Sequence, residues 1–463
     1  MLSTPHRQRG AVAIMVAIGM VVLLAAVGLV IDGGMAYLVK ARLNAAVDSA
    51  ALAAARAVPD GNTADQQIAS AQAASATFFA ANMPTNYMLS TPKLLSTKVA
   101  LNGGTATIDV TAEAPMPVSL MQVLGFKSLT PTASAQTIRK DLDMAFVVDT
   151  SGSLYSSRTA VKASAKSFLN KFNVTQDRVS LIHFAYGAEI DNPINTTARG
   201  FNRTSMLSKI DGYGFDGPTS SVEGMWNARD QLNAITTANR SSLRVIVFFS
   251  DGAPTALGAY WNYRNPLDCV DKDGYNIPGV IDTTGTGLSQ LNDSSLNTVS
   301  NGCKVERSGN GTAYKVLSSL PAWYNAHNDR KNPNDPTKRE FPIVTAQGAY
   351  RVVTSDLSSS DSIFQRNVDH AARNLPEAVA AKARDEGIFV FTLGMGSDLR
   401  VKGGYDKVET GEDVLKCMAN VADGPSRCYK PDQPNGMYCY AATEADLTPC
   451  FSRLASAILR ISK

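Results

Sequence analysis

Residues 146–153 read FVVDTSGS, an apolar run that ends with Asp149, Ser151 and Ser153 at every second position. One carboxylate and two hydroxyls on a single turn are either half of an oxygen-donor set for a cation or ordinary turn and helix-capping residues. Two other places in the chain supply the rest of such a set. Asp251 ends the apolar run RVIVFFSD (244–251), and Thr219 lies in GFDGPTSS just before a helical stretch. Two carboxylates and three hydroxyls, with no sulfur or imidazole, suit a hard divalent cation: Mg²⁺, or else Mn²⁺ or Ca²⁺. The carboxylates are too few to fill an octahedron, so water or an oxygen from a partner would complete it.

These residues can meet only if a fold brings their loops to one edge. MAFVVD (144–149), RVSLIHFA (178–185), RVIVFFSD (244–251) and GIFVFTLGMG (387–396) are continuous apolar runs, the pattern of strands buried on both faces. Amphipathic helical stretches over about 158–171, 220–235 and 367–386 lie between them. Strands alternating with helices predict an α/β fold with a doubly wound, mostly parallel, Rossmann-like sheet. Ligands of such sheets bind beyond the C-terminal ends of strands, where Asp149 and Asp251 fall.

The set of DxSxS at 149–153, Thr219 in its GPT loop and Asp251 in SDG resembles the metal-ion-dependent adhesion site (MIDAS) of von Willebrand factor type A domains. The resemblance covers about 142–460. It implies that Ser151, Ser153 and Thr219 bind the metal directly, while Asp149 and Asp251 act largely through bound water. It also implies that a partner protein's Glu or Asp supplies the sixth ligand. The chain departs from a plain domain of this type between Pro254 and about Val344, a stretch rich in Gly, Asn, Ser and Asp. A structureless loop of that length is improbable. An inserted subdomain over 254–344, near the metal edge, is expected instead.

All six cysteines lie in the C-terminal half: Cys269, Cys303, Cys417, Cys428, Cys439 and Cys450. None forms the CxxC pair of a zinc ribbon or redox motif. Their even number and loop-sized gaps fit disulfides in an oxidising compartment, with reduced buried thiols as the alternative. Cys269–Cys303, which would close the insertion, is the favoured pairing.

Residues 11–31, AVAIMVAIGMVVLLAAVGLVI, carry no charge. As a helix they reach about 31 Å, enough to cross the hydrocarbon core as a transmembrane helix. A cleaved signal peptide is the rival reading. Its apolar region would be shorter, and here helical character continues without a break. Arg7 and Arg9 precede the span, so the first ten residues are expected in the cytoplasm and the bulk of the chain in the periplasm. A helical stalk over 32–82 follows, rich in alanine at Ala41, Ala45, Ala46, Ala50, Ala51 and Ala53–Ala55. Alanine here means either high helix propensity or lateral packing against a partner's similar helix.

The run RGAVAIMVAIGMVVLLAAVGLVIDGGMAYLVKARLNAAVDSAALAAAR resembles the N-terminal segment of TadE/TadG-like proteins of tight-adherence (Flp) pilus assembly. Related type IV pilins keep a Glu five residues after the processed Gly. Counted from Gly10 that place is Met15, a departure that favours a permanent inner-membrane anchor. Alternating stretches after Pro84 predict a small α+β module over 83–140, and the von Willebrand A domain occupies 141–463.

Lys and Arg (44) nearly balance Asp and Glu (41) and form no basic stripe, which argues against nucleic acid as a partner. DKDGYN (271–276) lacks the register of a calcium loop and reads as a turn, and His183 reads as a core histidine. The other histidines are far apart, and HExxH, G-x-S-x-G and phosphate-loop motifs are all missing, so catalysis has no visible constellation. The residues predict a membrane-anchored, extracytoplasmic protein with a cation site, and the two resemblances imply that it binds a partner's carboxylate through its cation, in assembly, anchoring or adhesion of a tight-adherence pilus. The rivals are a structural pilus-assembly component whose metal only stabilises the domain, and a metal-dependent envelope hydrolase.

Overall fold

The structure, a computed structural model, describes residues 9–58, 64–102, 105–237, 239–265, 270–271, 273–283, 288–291, 293, 317–356 and 361–461. The chain divides into two compact units, one reaching to Lys140 and one beginning at Asp141.

In the first unit a single helix, α1 (Arg9–Ala57), runs for 49 residues. Its N-terminal half has no polar face, and the most apolar window has a mean hydropathy of 3.0 with almost none of it buried by protein. By length and composition it can cross a membrane. Beyond Asp32 the pattern changes. Val39, Leu43, Ala46, Val47, Ala50 and Ala54, spaced at three and four, are fully buried. They pack with α2 (Ala64–Asn82) against an antiparallel sheet of β1 (Lys93–Asn102), β2 (Thr105–Glu113) and β5 (Thr132–Lys140), ordered β1-β2-β5. A two-residue ribbon, β3 (Met116–Pro117) with β4 (Ser128–Leu129), precedes β5.

Period-two alternation in β2 puts Ala106, Ile108, Val110 and Ala112 on one buried face, which needs a helix to cover it. The alanines of α1 allow that close approach. The alanine face, read from sequence as a stalk or as a partner's contact, is therefore covered by its own chain. Asp32, at the end of the apolar span, is fully buried. Its carboxylate accepts from the backbone N–H groups of Ser119, Leu120 and Met121, the last at 2.8 Å, and so holds the 119–125 turn against α1. Gly28 leaves the room this turn needs, since a Cβ there would lie 2.9 Å from Leu120 Cβ.

The second unit opens with β6 (Leu142–Asp149), α3 (Arg158–Leu169), β7 (Arg178–Phe184), β8 (Ala188–Asn192), α4 (Arg203–Asp211), α5 (Ser221–Ala234) and β9 (Leu243–Ser250). The insertion follows, with β10 (Ala256–Ala259), β11 (Asn262–Tyr263), β12 (Gly279–Asp282), β13 (Leu288–Gln290) and β14 (Leu317–Ser319). The chain closes with α6 (Asp361–Asp385), β15 (Phe389–Met395), α7 (Gly411–Ala419), β16 (Tyr438–Ala441) and α8 (Glu444–Ile461).

The central sheet has the order β16-β15-β9-β6-β7-β8 and is parallel except for the edge strand β8. Every residue of β6 and β9 is buried, as their unbroken apolar runs predict. One face packs on α3 and α8 through Phe146, Phe168 and Phe451, the other on α5 and α6 through Phe184, Phe248 and Val368. The edge strands β8 and β16 are short and only partly buried, which is why no apolar run marks them.

The insertion is a folded layer. β10, β12 and β13 form an antiparallel sheet, β11 pairs with β14, and Trp261, Ile281, Leu317 and Phe341 extend the core on the α5–α6 side. Trp261 Nε1 donates to Gly279 O at 2.7 Å, so the largest buried ring keeps its polar atom satisfied. Among the described residues there are two disulfides: Cys417–Cys428 holds the loop after α7, and Cys439–Cys450 ties β16 to α8. The favoured pairing Cys269–Cys303 lies outside the described residues.

Candidate metal centre

Three loops converge beyond the C-terminal ends of β6 and β9. These strands are parallel neighbours with Val148 opposite Phe249, so Asp149 and Ser250 end the two strands side by side. Asp149 is completely buried. Its Oδ1 accepts from Ser151 N at 2.8 Å and its Oδ2 from Ser250 Oγ at 2.6 Å. The two hydroxyls of the 149–153 turn lie together, Ser151 Oγ to Ser153 Oγ 3.2 Å, and Ser153 Oγ donates to Asp251 Oδ1 at 2.9 Å.

Backbone pairing brings in the Thr219 loop. Gly152 N donates to Gly217 O at 2.9 Å, and Asp216 N donates to Thr150 O at 3.0 Å. Gly217 has φ +86°, and a Cβ on it would meet the Tyr186 ring at 2.3 Å, so only glycine fits this crossing. Thr219 exchanges two bonds with Thr255, donating its N–H to Thr255 Oγ1 and accepting from Thr255 N at its carbonyl, each 3.0 Å. Its hydroxyl faces Gly252, where an added Cβ would lie 3.9 Å away. The start of the insertion thus braces the loop that carries Thr219.

The electrostatics of this edge are those of excess negative charge. Burial pushes the Asp149 carboxyl up to about 6 despite its hydrogen bonds. Burial and the nearby Asp149 push Asp251 up to about 7, with a further contribution from Asp398 in the turn after β15. Two desolvated carboxylates with no basic partner among these contacts are what a bound cation would neutralise. The donor spacing also fits. Neighbouring oxygens around an octahedral ion with bonds near 2.1 Å lie about 3 Å apart, against 3.2 Å for the two hydroxyls Ser151 and Ser153. The set can hold a hard dication.

Asp271 Oδ1 accepts from Asp273 N and Tyr275 N, so DKDGYN is a turn. His183 sits on β7, partly exposed, with Nδ1 2.8 Å from Asp191 Oδ2 and its ring against Tyr213. Sequence reasoning missed Ser250, Thr255 and Asp398 at the metal edge, and a separate cluster of Glu223, Asp293 and His327. A hydroxyl in an apolar run and residues far apart along the chain carry no local signal.

Comparison with known proteins agrees with this architecture. Residues 143–316 match the von Willebrand factor type A domain. Residues 10–57 match the Flp pilus-assembly TadE/G-like family. The chain is a TadE/TadG-like N-terminal segment fused to a von Willebrand factor type A domain. No curated protein matches it. Among solved structures it is similar to the pilus adhesin SpaC from Lactobacillus rhamnosus GG, at 16% identity and TM-score 0.37, over 80% of this chain and 34% of that one. It is also similar to the von Willebrand domain of the type V pili tip protein Mfa5 from Porphyromonas gingivalis, at 16% identity and TM-score 0.37, over 71% of this chain and 98% of that one. A third is the PilB minor pilin from Streptococcus sanguinis, at 14% identity and TM-score 0.35, over 81% and 79%. The chain spans about a third of the length of SpaC.

Proposed function

We propose that this chain is a protein-binding component of a tight-adherence pilus system, held in the inner membrane by α1 with its folded units in the periplasm. Its von Willebrand A domain captures an acidic side chain on a partner protein through a divalent cation, Mg²⁺ above all. Ser151, Ser153 and Thr219 would hold the ion directly, and Asp149 and Asp251 would hold its water. The observation that carries this reading is the hydrogen-bonded grouping of Asp149, Ser151, Ser153 and Asp251 on one sheet edge, with the Thr219 hydroxyl facing Gly252 next to Asp251. The TadE/G-like match supports a place in pilus assembly, anchoring or adhesion. The hydroxyl-rich donor set supports a binding role.

The test is crosslinking in the native envelope, followed by partner identification, with Mg²⁺ or with EDTA. The expected outcome is a discrete partner recovered with Mg²⁺, lost with EDTA and lost in Ser151→Ala. Recovery of the same partner under all three conditions would assign the interaction to another surface.

A further inference from the structure

The Glu223, Asp293 and His327 cluster lies between α5 and the insertion. Glu223 and Asn227 are one turn apart on α5, and both are fully buried. The insertion brings Asp293 and His327 to them. His327 Nε2 is 2.8 Å from Glu223 Oε2 and 3.9 Å from Asp293 Oδ2. One donor atom from each of the three lies within 4.8 Å of the others. The pocket is built around these atoms. Trp226 stacks flat on the His327 ring, with centroids 3.6 Å apart and planes 1° from parallel, and Asn227 Nδ2 donates to Asp293 Oδ2 at 2.9 Å.

The pocket is short of positive charge. Asn227 Oδ1 is shielded from solvent and accepts no hydrogen bond, and Glu223 Oε1, equally shielded, lacks a partner at ordinary length although the Tyr324 phenol stands beside its carboxylate. Buried acceptors left in this state point to a water or an ion. A protonated His327 would offset only one of two buried carboxylates. The neighbouring Tyr324 phenol is pushed well up by burial and by those carboxylates, so it stays neutral. A dication would balance both carboxylates at once.

We propose that Glu223, Asp293 and His327 form a second cation site, for Zn²⁺, that clips the insertion to α5. One imidazole and two carboxylates suit a borderline ion, unlike the oxygen-only set at the sheet edge. Donors around tetrahedral zinc, with bonds of about 2.0–2.1 Å, lie about 3.4 Å apart; the two distances from Nε2, 2.8 and 3.9 Å, straddle that value. His327 also lines a cleft of about 770 Å³ with Trp226, Asp230 and Tyr324, which gives the ion a way in and leaves room for water as the fourth ligand.

The test uses the full-length chain in detergent, in excess Mg²⁺, titrated with Co²⁺ as the spectroscopic probe and then with Zn²⁺. One Co²⁺ per chain should bind with the strong visible absorption of four-coordinate cobalt and be displaced by Zn²⁺. His327→Ala and Glu223→Gln should each weaken that binding about tenfold or more, while Ser151→Ala leaves it unchanged. Circular dichroism checks that each variant folds, and Asp293→Asn, which keeps the side-chain volume, replaces any that does not. No saturable cobalt binding to the wild type, binding that survives His327→Ala, or binding lost in Ser151→Ala would overturn the proposal. Because Mg²⁺ saturates the sheet-edge set throughout, failure here leaves the reading of that set untouched, and the converse also holds.

Discussion

Asp149 is a carboxyl with no exposed surface, held by a backbone N–H and the Ser250 hydroxyl. Those two bonds do not offset its desolvation, and Asp251 beside it is further raised by their mutual repulsion. The sign of the pH dependence follows. Both acids hold protons more tightly in the fold than in the unfolded chain, so without metal their contribution to stability is greatest at low pH. That stability is lost as pH rises through about 6 and about 7. A cation needs the ionised forms, so binding releases protons and its affinity falls as pH drops across the same window. Calorimetric titrations of Mg²⁺ at pH 8, 7, 6 and 5 should show affinity falling steadily below 7. In metal-free protein the melting temperature should move the other way, falling from pH 5 to pH 8. A flat affinity profile would mean that neither carboxyl takes part.

At the scale of elements, the legible parts were those with a local signature. The unbroken apolar runs of β6, β7, β9 and β15 placed four of the five parallel strands, and DxSxS marked half of the candidate site, because each pattern lies within a few consecutive residues. What stayed hidden is set by long-range partners. The alanines of α1 show as a small-residue stripe in sequence, but only the sheet of the first unit shows what covers them. Asp32 is the same case, since the N–H groups it accepts are 87 and more residues away. Asp32→Ala would leave those N–H groups buried without an acceptor, at a cost of about 1–3 kcal/mol each for the ones water cannot reach. Denaturant unfolding of the detergent-solubilised chain, followed by protease sensitivity of the 118–127 segment, should show the first unit destabilised while the second is unaffected. Equal protease resistance in variant and wild type would show that packing alone holds the turn.

At the scale of the molecule, an apolar N-terminal helix and a von Willebrand A domain occur in one chain, and neither uses the chemistry of the other. The helix supplies place, and the domain supplies a cation-ready edge at the C-terminal ends of its parallel strands. The insertion belongs to this picture as a load on one side of the domain: it extends the α5–α6 core, and Thr255 at its start pins the Thr219 loop. Capture of a partner's carboxylate requires the sheet edge to hold a divalent cation through its hydroxyls. The direct measurement is calorimetric titration of Mg²⁺ into the full-length chain in detergent at pH 7.5, wild type against the double variant Asp149→Ala/Ser151→Ala, with circular dichroism confirming that both fold. One saturable site is expected in the wild type, with at least about a tenfold loss of affinity in the variant. Undiminished Mg²⁺ affinity in a folded double variant would contradict this assignment.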